Sequence, residues 1–519
     1  MPSSPAPPSS SDEGHPQRLD RRKFLMLGAA GAVVVGGGAA GVRRLGKDAA
    51  PTPPPVVGPH APIVEATEAA RYKSGRVVRQ TLRASPTTVD LGGKTVQTWA
   101  FNDSVPGPQI RVRPGDELRV HLVNDLSDTT TVHWHGIGLR NDMDGVPNVT
   151  MNAVPAGGTF DYSFVVPHSG TYWYHPHVGV QLDMALQGAL IVDDPADRGN
   201  YDVEAVLILD DWIDGLGDSP SAVLDRLSAE GMNMGGGMDM GDMGSMTSDR
   251  QPLGKDTGDV AYPTHVINGR LPQSPVTVHA LPGQRIRFRL INAGSDTAYR
   301  FAIGGHRLLV THADGYAVQP VEVDSLILGM GERFDVVVTA ADGAFAIVAA
   351  PEGKPDSVGA AVLRTGAGPT PAADARPVEL SKRLLAYDDL EPVEEAALRS
   401  RTPERELELS MAMVDGGRQW YLNGAAYGDN DPLLMRAGER VRLTMRNETM
   451  MFHPMHLHGH TFAVVGGSQR GVRKDTVNVL PMQSLAVDLQ ADNPGSWLLH
   501  CHNLYHQELG MASVLAYLA

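Results

Sequence analysis

The chain of 519 residues contains a single cysteine, Cys501. One thiol excludes an internal disulfide, a disulfide-stabilised scaffold and any CxxC zinc or redox motif built from this chain alone. An isolated cysteine is most often a small buried hydrophobic residue, so its neighbours must decide its role. Those neighbours are unusual, because Cys501 stands between two histidines in "HCHNLYHQELGM", residues 500–511.

Basic residues are also scarce: 44 Lys and Arg stand against 60 Asp and Glu, which gives a formal net charge of −16. A surface that tracks phosphates needs clustered Lys and Arg, so the composition argues against nucleic acid as a partner. The length exceeds that of one hydrophobic core and suggests roughly three domains.

The N-terminal region differs from the rest of the chain. Arg21 and Arg22 precede a glycine-rich apolar stretch in "LDRRKFLMLGAAGAVVVGGGAAG", residues 19–41. This predicts a twin-arginine signal over 1–45, export by the twin-arginine machinery to the periplasm, cell envelope or exterior, and a linker over 46–75. The Pro-rich part of this linker, residues 47–62, is expected to be unstructured. A retained membrane anchor is the alternative, since the stretch is close to the shortest that spans a bilayer.

Long amphipathic helical patterns are nearly absent, and residues 218–231 are the best candidate for one short helix. Short β-branched runs broken by turn residues predict an all-β chain of sandwiches instead. A repeat supports this: Gly115, Gly283 and Gly438 are each followed nine residues later by an asparagine, across an alternating strand. We therefore expect three similar domains at about 76–197, 200–366 and 380–519.

Eleven of the nineteen histidines fall in four clusters, in "HWHG" (133–136), "HPH" (175–177), "HPMHLHGH" (453–460) and "HCHNLYH" (500–506). Alternate residues of a strand share a face, so four H-x-H pairs from the first and third domains supply eight nitrogens to one pocket. Imidazole suits copper, zinc and iron. The clusters predict a polynuclear metal site, whereas the scattered histidines of the middle domain do not look like ligands.

Besides His460, four residues of these motifs remain outside those pairs: His453, Cys501, His506 and Met511. One thiolate, two imidazoles and a weak axial thioether form the ligand set of a blue-copper electron-transfer centre. Cys501 is therefore expected to bind a mononuclear copper, while its neighbours His500 and His502 bind the polynuclear site.

The ordered motifs "HWHGIGLRNDMDG", "GTYWYHPH", "MMFHPMHLHGH", "RKDTV" and "HCHNLYHQELGM" resemble those of three-domain multicopper oxidases, in particular the bacterial copper-resistance branch. The resemblance extends over everything after the linker. It implies three cupredoxin-like Greek-key β-sandwich domains and four coppers, one of type 1, one of type 2 and two of type 3.

The resemblance also implies the assignment of ligands. The type 1 copper would take His453, Cys501, His506 and Met511, and the type 2 copper His133 and His456. The type 3 pair would be held by two sets of three histidines: His135, His175 and His502, and His177, His458 and His500. His460 is left over as a structural residue.

Reduction of O2 consumes protons, so acids are expected near the cluster. Asp144, after "HWHG", resembles the family's carboxylate near the type 2 copper, although an Asp-Gly pair is also a common turn. Many bacterial relatives carry a glutamate directly after the last type 1 histidine, where this chain has Gln507, with Glu508 next. Asp144 and Glu508 are the candidate catalytic acids.

The candidate substrate ligands are methionines, because soft thioethers select Cu(I). Six lie in the glycine-linked stretch 232–246: Met232, Met234, Met238, Met240, Met243 and Met246. Met451 matches a cuprous-site methionine of the copper-resistance branch, but the acidic residue that accompanies it there is Thr449 here. A flexible low-complexity loop is the alternative interpretation of 232–246.

Together these features predict a copper-dependent oxidase that couples four one-electron oxidations to reduction of O2 to water, with Cu(I) as the substrate in copper resistance. A laccase that oxidises small phenols or aromatic amines is the nearest alternative. A non-enzymatic copper-binding or storage protein is the other, and the complete ligand set argues against it.

Overall fold

The structure, a computed structural model, describes residues 54–195, 201–231, 251–354, 357–466 and 471–519. Strands dominate these residues and form six sheets, two in each of three successive sandwiches. The all-β prediction is confirmed. The predicted signal and the methionines of 232–246 lie outside the described residues.

The first sandwich has two four-stranded sheets, ordered β2-β1-β4-β6 and β3-β8-β7-β5. Its strands are β1 Val77–Asp90, β2 Thr95–Phe101, β3 Ile110–Val112, β4 Glu117–Asn124, β5 His133–His135, β6 Thr159–Val165, β7 Gly170–His175 and β8 Gly188–Val192.

The second sandwich has a six-stranded sheet, β10-β9-β12-β17-β14-β15, and a five-stranded sheet, β11-β19-β18-β13-β16. Its strands are β9 Val203–Trp212, β10 Thr264–Ile267, β11 Val276–His279, β12 Arg285–Asn292, β13 Tyr299–Ile303, β14 Leu308–Ala313, β15 Tyr316–Val323, β16 Leu326–Leu328, β17 Arg333–Thr339, β18 Ala344–Pro351 and β19 Gly359–Arg364.

The third sandwich repeats this plan, with sheets β21-β20-β23-β28-β25-β26 and β22-β30-β29-β24-β27. Its strands are β20 Arg405–Val414, β21 Gln419–Leu422, β22 Leu433–Met435, β23 Arg440–Asn447, β24 His453–Leu457, β25 Phe462–Val465, β26 Arg473–Lys474, β27 Thr476–Val479, β28 Ser484–Gln490, β29 Ser496–Cys501 and β30 Ala512–Tyr517.

The sequence repeat corresponds to the same strand in each sandwich. β4, β12 and β23 each end on the repeated asparagine and run parallel to the first strand of their sandwich. Each asparagine is buried, and its amide nitrogen donates to backbone carbonyls of neighbouring loops, as Asn447 does to those of Met451, Val479 and Leu480. A buried carbonyl needs such a partner, which explains the repeat.

Three α-helices lie among the described residues: α1 Pro62–Ala70, α2 Pro220–Glu230 and α3 Leu504–Glu508. α2 confirms the predicted short helix, and the Ser219 side chain caps its start by accepting from Ala222 N at 3.2 Å. α1 lies within the predicted linker 46–75, begins at the last residue of the part expected to be unstructured, and is held by Glu68, which accepts from Val165 N at 2.7 Å.

One continuous apolar core joins the first and third sandwiches and includes Cys501 and Met511, while the second sandwich has its own. The closeness of the first and third cores is what allows histidines from both to meet. No helix within the described ranges is long and apolar enough to span a bilayer.

Candidate metal centre

Four strands carry the H-x-H pairs. β5 contains a whole pair, His133 and His135, whereas β7, β24 and β29 contain only the first histidine of a pair and end at that residue or one later. In the sheet register His133 lies opposite His175, and His456 lies opposite His500. In the first sandwich and again in the third, strand pairing therefore places two H-x-H pairs side by side at one end of a sheet.

All eight histidines of the predicted polynuclear site belong to groups of three whose ligand nitrogens lie within 4.8 Å of one another. Each group but one draws on both the first and third sandwiches. The groups are His133–His135–His456, His133–His177–His458, His135–His175–His502 and His456–His458–His500. None of the middle-domain histidines described here belongs to such a group.

One of these groups, His135, His175 and His502, is identical to a predicted type 3 set. The other predicted type 3 set and the type 2 pair are spread over the remaining groups, which share His133, His456 and His458. The eight residues thus come together as expected. Their division among individual ions stays a prediction.

The hydrogen bonds of these rings leave nitrogens for a metal. His175 Nδ1 lies 2.9 Å from Pro176 O, and His456 Nδ1 lies 3.0 Å from Asp475 O. A carbonyl only accepts, so each Nδ1 carries the hydrogen and each Nε2 keeps a lone pair. Buried nitrogens without a protein partner are His133 Nε2, His135 Nδ1, His175 Nε2, His177 Nε2, His456 Nε2 and both nitrogens of His502.

His458 and His500 give the sharpest indication of a cation. His500 Nδ1 donates to Cys501 O at 2.9 Å, and His458 Nδ1 lies 2.9 Å from Asp144 Oδ2. Both Nε2 lone pairs then face each other at 3.2 Å, which is repulsive. Burial lowers the pKa of both rings well below the ordinary value, so protonation of either ring to relieve this repulsion is unfavourable. A metal ion between or beside them fits.

Asp144 lies in the turn that the Asp-Gly pair indicated, directly after a 3-10 helix over Asn141–Met143 and before Gly145 at φ +86°. Its carboxylate is fully buried, and Oδ2 lies 2.9 Å from His458 Nδ1. His133 Nδ1 contacts the Asp144 backbone carbonyl at 2.9 Å and lies 3.2 Å from Oδ1. Asp144 therefore orients two imidazoles, as the carboxylates behind metal-bound histidines do.

A second buried carboxylate, Asp475, was not predicted. Its Oδ1 lies 3.2 Å from His135 Nε2 and 3.4 Å from His456 Nδ1. Burial alone would raise the pKa of this carboxyl, but the Arg333 guanidinium lowers it below the ordinary value. The signal was present in "RKDTV", which the resemblance singled out without giving Asp475 a role.

The predicted type 1 ligands form a separate group. Cys501 Sγ lies 3.7 Å from His453 Nδ1 and 3.6 Å from His506 Nδ1, and the two nitrogens are 3.2 Å apart. All three side chains are buried, with Met511 in the same core. Met511 follows the turn after α3, where its N donates to His506 O at 2.9 Å.

The Nε2 atoms of both type 1 histidines have protein partners. His506 Nε2 lies 2.8 Å from Asp259 Oδ2, and His453 Nε2 lies 2.7 Å from Thr449 Oγ1. Burial lowers the pKa of His506, but the hydrogen bonds to Asp259 and Cys501 outweigh it and raise the pKa to about 10. The group therefore favours an added positive charge. Asp259, from the second sandwich, was not predicted.

Trp420 was also missed, because nothing in the sequence links it to the clusters. The ring is fully buried on β21 and lies over His506, with centroids 3.9 Å apart, and 5.2 Å from the centroid of His453. It shields one side of the type 1 group from water.

The remaining predicted residues lie farther from the rings. Glu508 accepts a hydrogen bond from Gln507 Nε2 at 3.2 Å, and its catalytic role stays a prediction. Met451 is buried and its backbone pairs with Asp256. His460 uses both ring nitrogens elsewhere, on Tyr517 Oη and His458 O, as expected for a structural residue.

Comparisons with known proteins agree with this geometry. Three models described as multicopper oxidase match residues 83–197, 206–368 and 400–518. The chain is 46% identical over 510 residues to Multicopper oxidase MmcO of Mycobacterium tuberculosis, which covers 96% of this chain and 98% of that protein. It is 28% identical to the Copper resistance protein A homolog of Pseudomonas syringae pv. tomato, over 83% and 90% of the two chains.

Among solved structures, the laccase from Botrytis aclada is similar with a TM-score of 0.69 and 25% identity, over 88% of this chain and 90% of that one. The three matched segments cover most of the chain, and the buried imidazoles and thiolate are donors that suit copper. This chain therefore belongs to the multicopper oxidases, enzymes of cupredoxin-like sandwiches whose cofactor is one type 1, one type 2 and two type 3 coppers.

Proposed function

We propose that this multicopper oxidase oxidises Cu(I) to Cu(II) and so protects against copper. When bound, the coppers supply one-electron redox chemistry: four Cu(I), O2 and four protons give four Cu(II) and two waters. The protein would hold the type 1 ion through Cys501, and the trinuclear ions, that is, the type 2 and the two type 3 coppers, through residues that include His500 and His502. The end of β29 and the residue after it thus link the type 1 site to the trinuclear site.

The observation that carries this proposal is the position of the chain on either side of residues 232–250. α2 ends at Gly231, and Val223 and Leu227 of this helix pack with Leu504 and Tyr505 of α3, the helix that contains His506. At Gly231 an added Cβ would lie only 2.4 Å from Gly416 O, on the turn before β21. The chain therefore leaves the described part beside the type 1 group.

The chain also returns beside that group. Leu253 packs with Phe452, the neighbour of His453, and Asp256 pairs with the backbone of Met451. Three residues later Asp259 contacts His506. The described residues on both sides of 232–250 thus lie near the type 1 group. The six methionines of that segment would gather Cu(I) and release Cu(II), which prefers nitrogen and oxygen.

Asp256 and Asp259 also supply the acidic groups that Thr449 does not. Both belong to the second domain: Asp256 pairs with the backbone of Met451, and Asp259 contacts His506, whose Nδ1 lies 3.2 Å from that of His453. Carboxylates next to the thioether of Met451 would favour the oxidised product over Cu(I). The acidic residue of the Cu(I) site would then come from the second domain, and not from the position of Thr449.

The test compares two substrates on the same fully copper-loaded enzyme. Deleting residues 232–246 should lower kcat/KM for Cu(I) about tenfold, the loss of roughly 1.4 kcal/mol of interaction, because the thioethers are gone. The rate with a small phenol should stay equal or rise. Steady-state O2 consumption with each substrate measures this.

A matched control keeps the length of the segment and replaces its six methionines by leucine. This variant should behave like the deletion, since only sulfur is removed. A parallel loss of both activities would mean a folding role for the segment. No change in either would remove the basis for Cu(I) as the substrate.

The second candidate is a laccase activity on phenols or aromatic amines, and the similar Botrytis aclada protein is named a laccase. The contact between Asp259 and His506 favours it, because a phenol loses a proton on one-electron oxidation and a carboxylate beside the type 1 ligand would accept it. Wild-type enzyme with a higher kcat/KM for phenols than for Cu(I) would make this the preferred function.

We also propose export through the twin-arginine route, since Arg21 and Arg22 precede the apolar stretch. Secretion of a reporter fused to residues 1–45 tests it. Replacement of both arginines by lysine should retain the reporter inside the cell, and secretion that continues in this variant would contradict the proposal.

A further inference from the structure

The second sandwich contributes none of the eight histidines, yet one of its turns reaches them. This bridging turn, residues 329–333, connects β16 to β17 and ends on Arg333. The Arg333 side chain is fully buried and forms two hydrogen bonds with the Asp475 carboxylate, Nη1 to Oδ1 at 2.7 Å and Nη2 to Oδ2 at 2.6 Å. Such a paired contact fixes both position and orientation.

Arg333 also joins all three sandwiches. Its Nε donates to Thr171 O on β7 at 3.1 Å, and its Nη1 to Gly331 O at 3.1 Å within its own turn. Asp475 lies between β26 and β27 of the third sandwich. The planar fork of arginine makes these contacts together, which the single ammonium of lysine does not.

Asp475 transmits this position to two rings. Its carboxylate faces His135 from the first sandwich and His456 from the third, at 3.2 and 3.4 Å. The two rings stack with centroids 3.8 Å apart and an angle of 12° between their planes. Both keep their other nitrogen, His135 Nδ1 and His456 Nε2, without a protein partner.

Two glycines show that this close approach is built into the backbone. A Cβ on Gly331 would lie 2.9 Å from carbons of both His135 and His502, and one on Gly136 would lie 2.4 Å from Arg333 Nη2. Both residues have φ +85°, a conformation that favours glycine. Only hydrogen fits at either position, so the turn lies directly against the rings.

We propose that Arg333 and the bridging turn position the trinuclear site: Arg333 holds Asp475, and Asp475 with Gly331 holds the rings of His135, His456 and His502. The second sandwich, although it has no ligand, thereby sets how tightly the trinuclear coppers bind. This role is independent of whether the enzyme oxidises Cu(I) or phenols, because it concerns the ligands and not the reductant.

The first variant is Arg333→Lys, which keeps the positive charge and loses the paired contact. The copper affinity of the trinuclear site should fall about 10- to 100-fold, as it does when partners of metal-bound histidines are removed. The type 1 absorption should stay. Copper per chain during titration with a chelator, together with the type 1 and type 2 electron paramagnetic resonance signals, measures this. Arg287→Lys is the control, since Arg287 pairs with Asp335 in the same sandwich.

The second variant, Gly331→Ala, changes no charge and should weaken the same coppers by pushing a methyl group against two rings. Its control is Gly283→Ala, which has φ +83° and no atom within 4 Å of the added Cβ, so it tests backbone strain alone. Full trinuclear copper with unaltered type 2 signals in both Arg333→Lys and Gly331→Ala would overturn the proposal. So would equal loss of type 1 and trinuclear copper with a lower Tm, because that indicates a general folding role.

Discussion

At the scale of single residues, the site depends on carboxylates that orient imidazoles. Asp144 contacts His133 and His458, and Asp475 contacts His135 and His456, so four of the eight rings are aligned by two buried acids. In each ring the nitrogen that faces the acid is not the one that is left for a metal, and His133 Nδ1 and His456 Nδ1 also contact the backbone carbonyls of Asp144 and Asp475. Such partners fix the tautomer and the plane of a ligand.

Asp144→Asn tests this role for the first carboxylate. An amide replaces one carboxylate oxygen by an N–H donor and removes the negative charge, so the side chain no longer offers an oxygen to both rings, although His133 Nδ1 keeps the Asp144 backbone carbonyl. We expect the affinity of the trinuclear coppers to fall about 10- to 100-fold, with slower O2 reduction and accumulation of reduced type 1 copper. Copper per chain and the type 1 absorption during turnover measure this.

Asp142→Asn is the matched control for Asp144→Asn, since it makes the same change two residues away, where the carboxylate pairs with Arg140. It should leave copper content unchanged. Wild-type copper affinity and turnover in Asp144→Asn would reduce Asp144 to a turn residue.

At the scale of elements, the asparagine that ends the repeated strand of each sandwich forms hydrogen bonds with neighbouring backbone groups. Asn292 Nδ2 donates to Thr297 O at 2.9 Å and to Leu328 O at 3.0 Å, and its Oδ1 accepts from Gly294 N. The side chain is fully buried. It therefore satisfies backbone groups of the loop after β12 and of the end of β16.

Asn292→Ala should leave these buried groups without partners and lower the free energy of unfolding by roughly 2–4 kcal/mol. Urea unfolding of the wild type and the variant measures the difference. Gln490→Ala is the control, because the Gln490 amide donates to two carbonyls near the surface, where water replaces it. A cost for Asn292→Ala no larger than that for Gln490→Ala would contradict this explanation of the repeat.

At the scale of the whole molecule, a charged network joins the first and second sandwiches. Asp335 on β17 pairs with Arg287 and Arg289, and it accepts from Thr171 Oγ1 on β7 at 2.6 Å. Burial alone would raise the pKa of Asp335, but the two arginines lower it below the ordinary value. The network is buried, so removal of one partner leaves charges uncompensated.

Asp335→Asn should therefore lower the free energy of unfolding by about 3–5 kcal/mol at pH 7. A carboxyl with a lowered folded-state pKa stabilises the protein above its unfolded-state pKa, near 4, and loses this contribution as the pH falls through the folded-state value. The difference between wild type and variant should thus shrink below about pH 4. Urea unfolding at pH 7 and at pH 3 measures it, and a difference independent of pH would contradict it.

The sequence alone determined the all-β class, the repeated strand and the residues that come together as candidate metal ligands. These depend on local rules: alternate residues share a face of a strand, a turn glycine precedes each repeat, and thiolate with imidazole is a copper donor set. α1 was missed because the Pro-rich composition of 47–62 hid a helix that tertiary contacts stabilise through Glu68.

The tertiary structure decided which residues support those ligands. Asp475 and Arg333 are 142 positions apart, and Asp259 and His506 are 247 apart, so only the docking of sandwiches brings each pair together. The spacing of residues along a strand does not reveal such contacts between distant parts of the chain. A ligand is recognised by its own chemistry, whereas a residue that orients it is defined by distance, burial and the direction of one hydrogen bond.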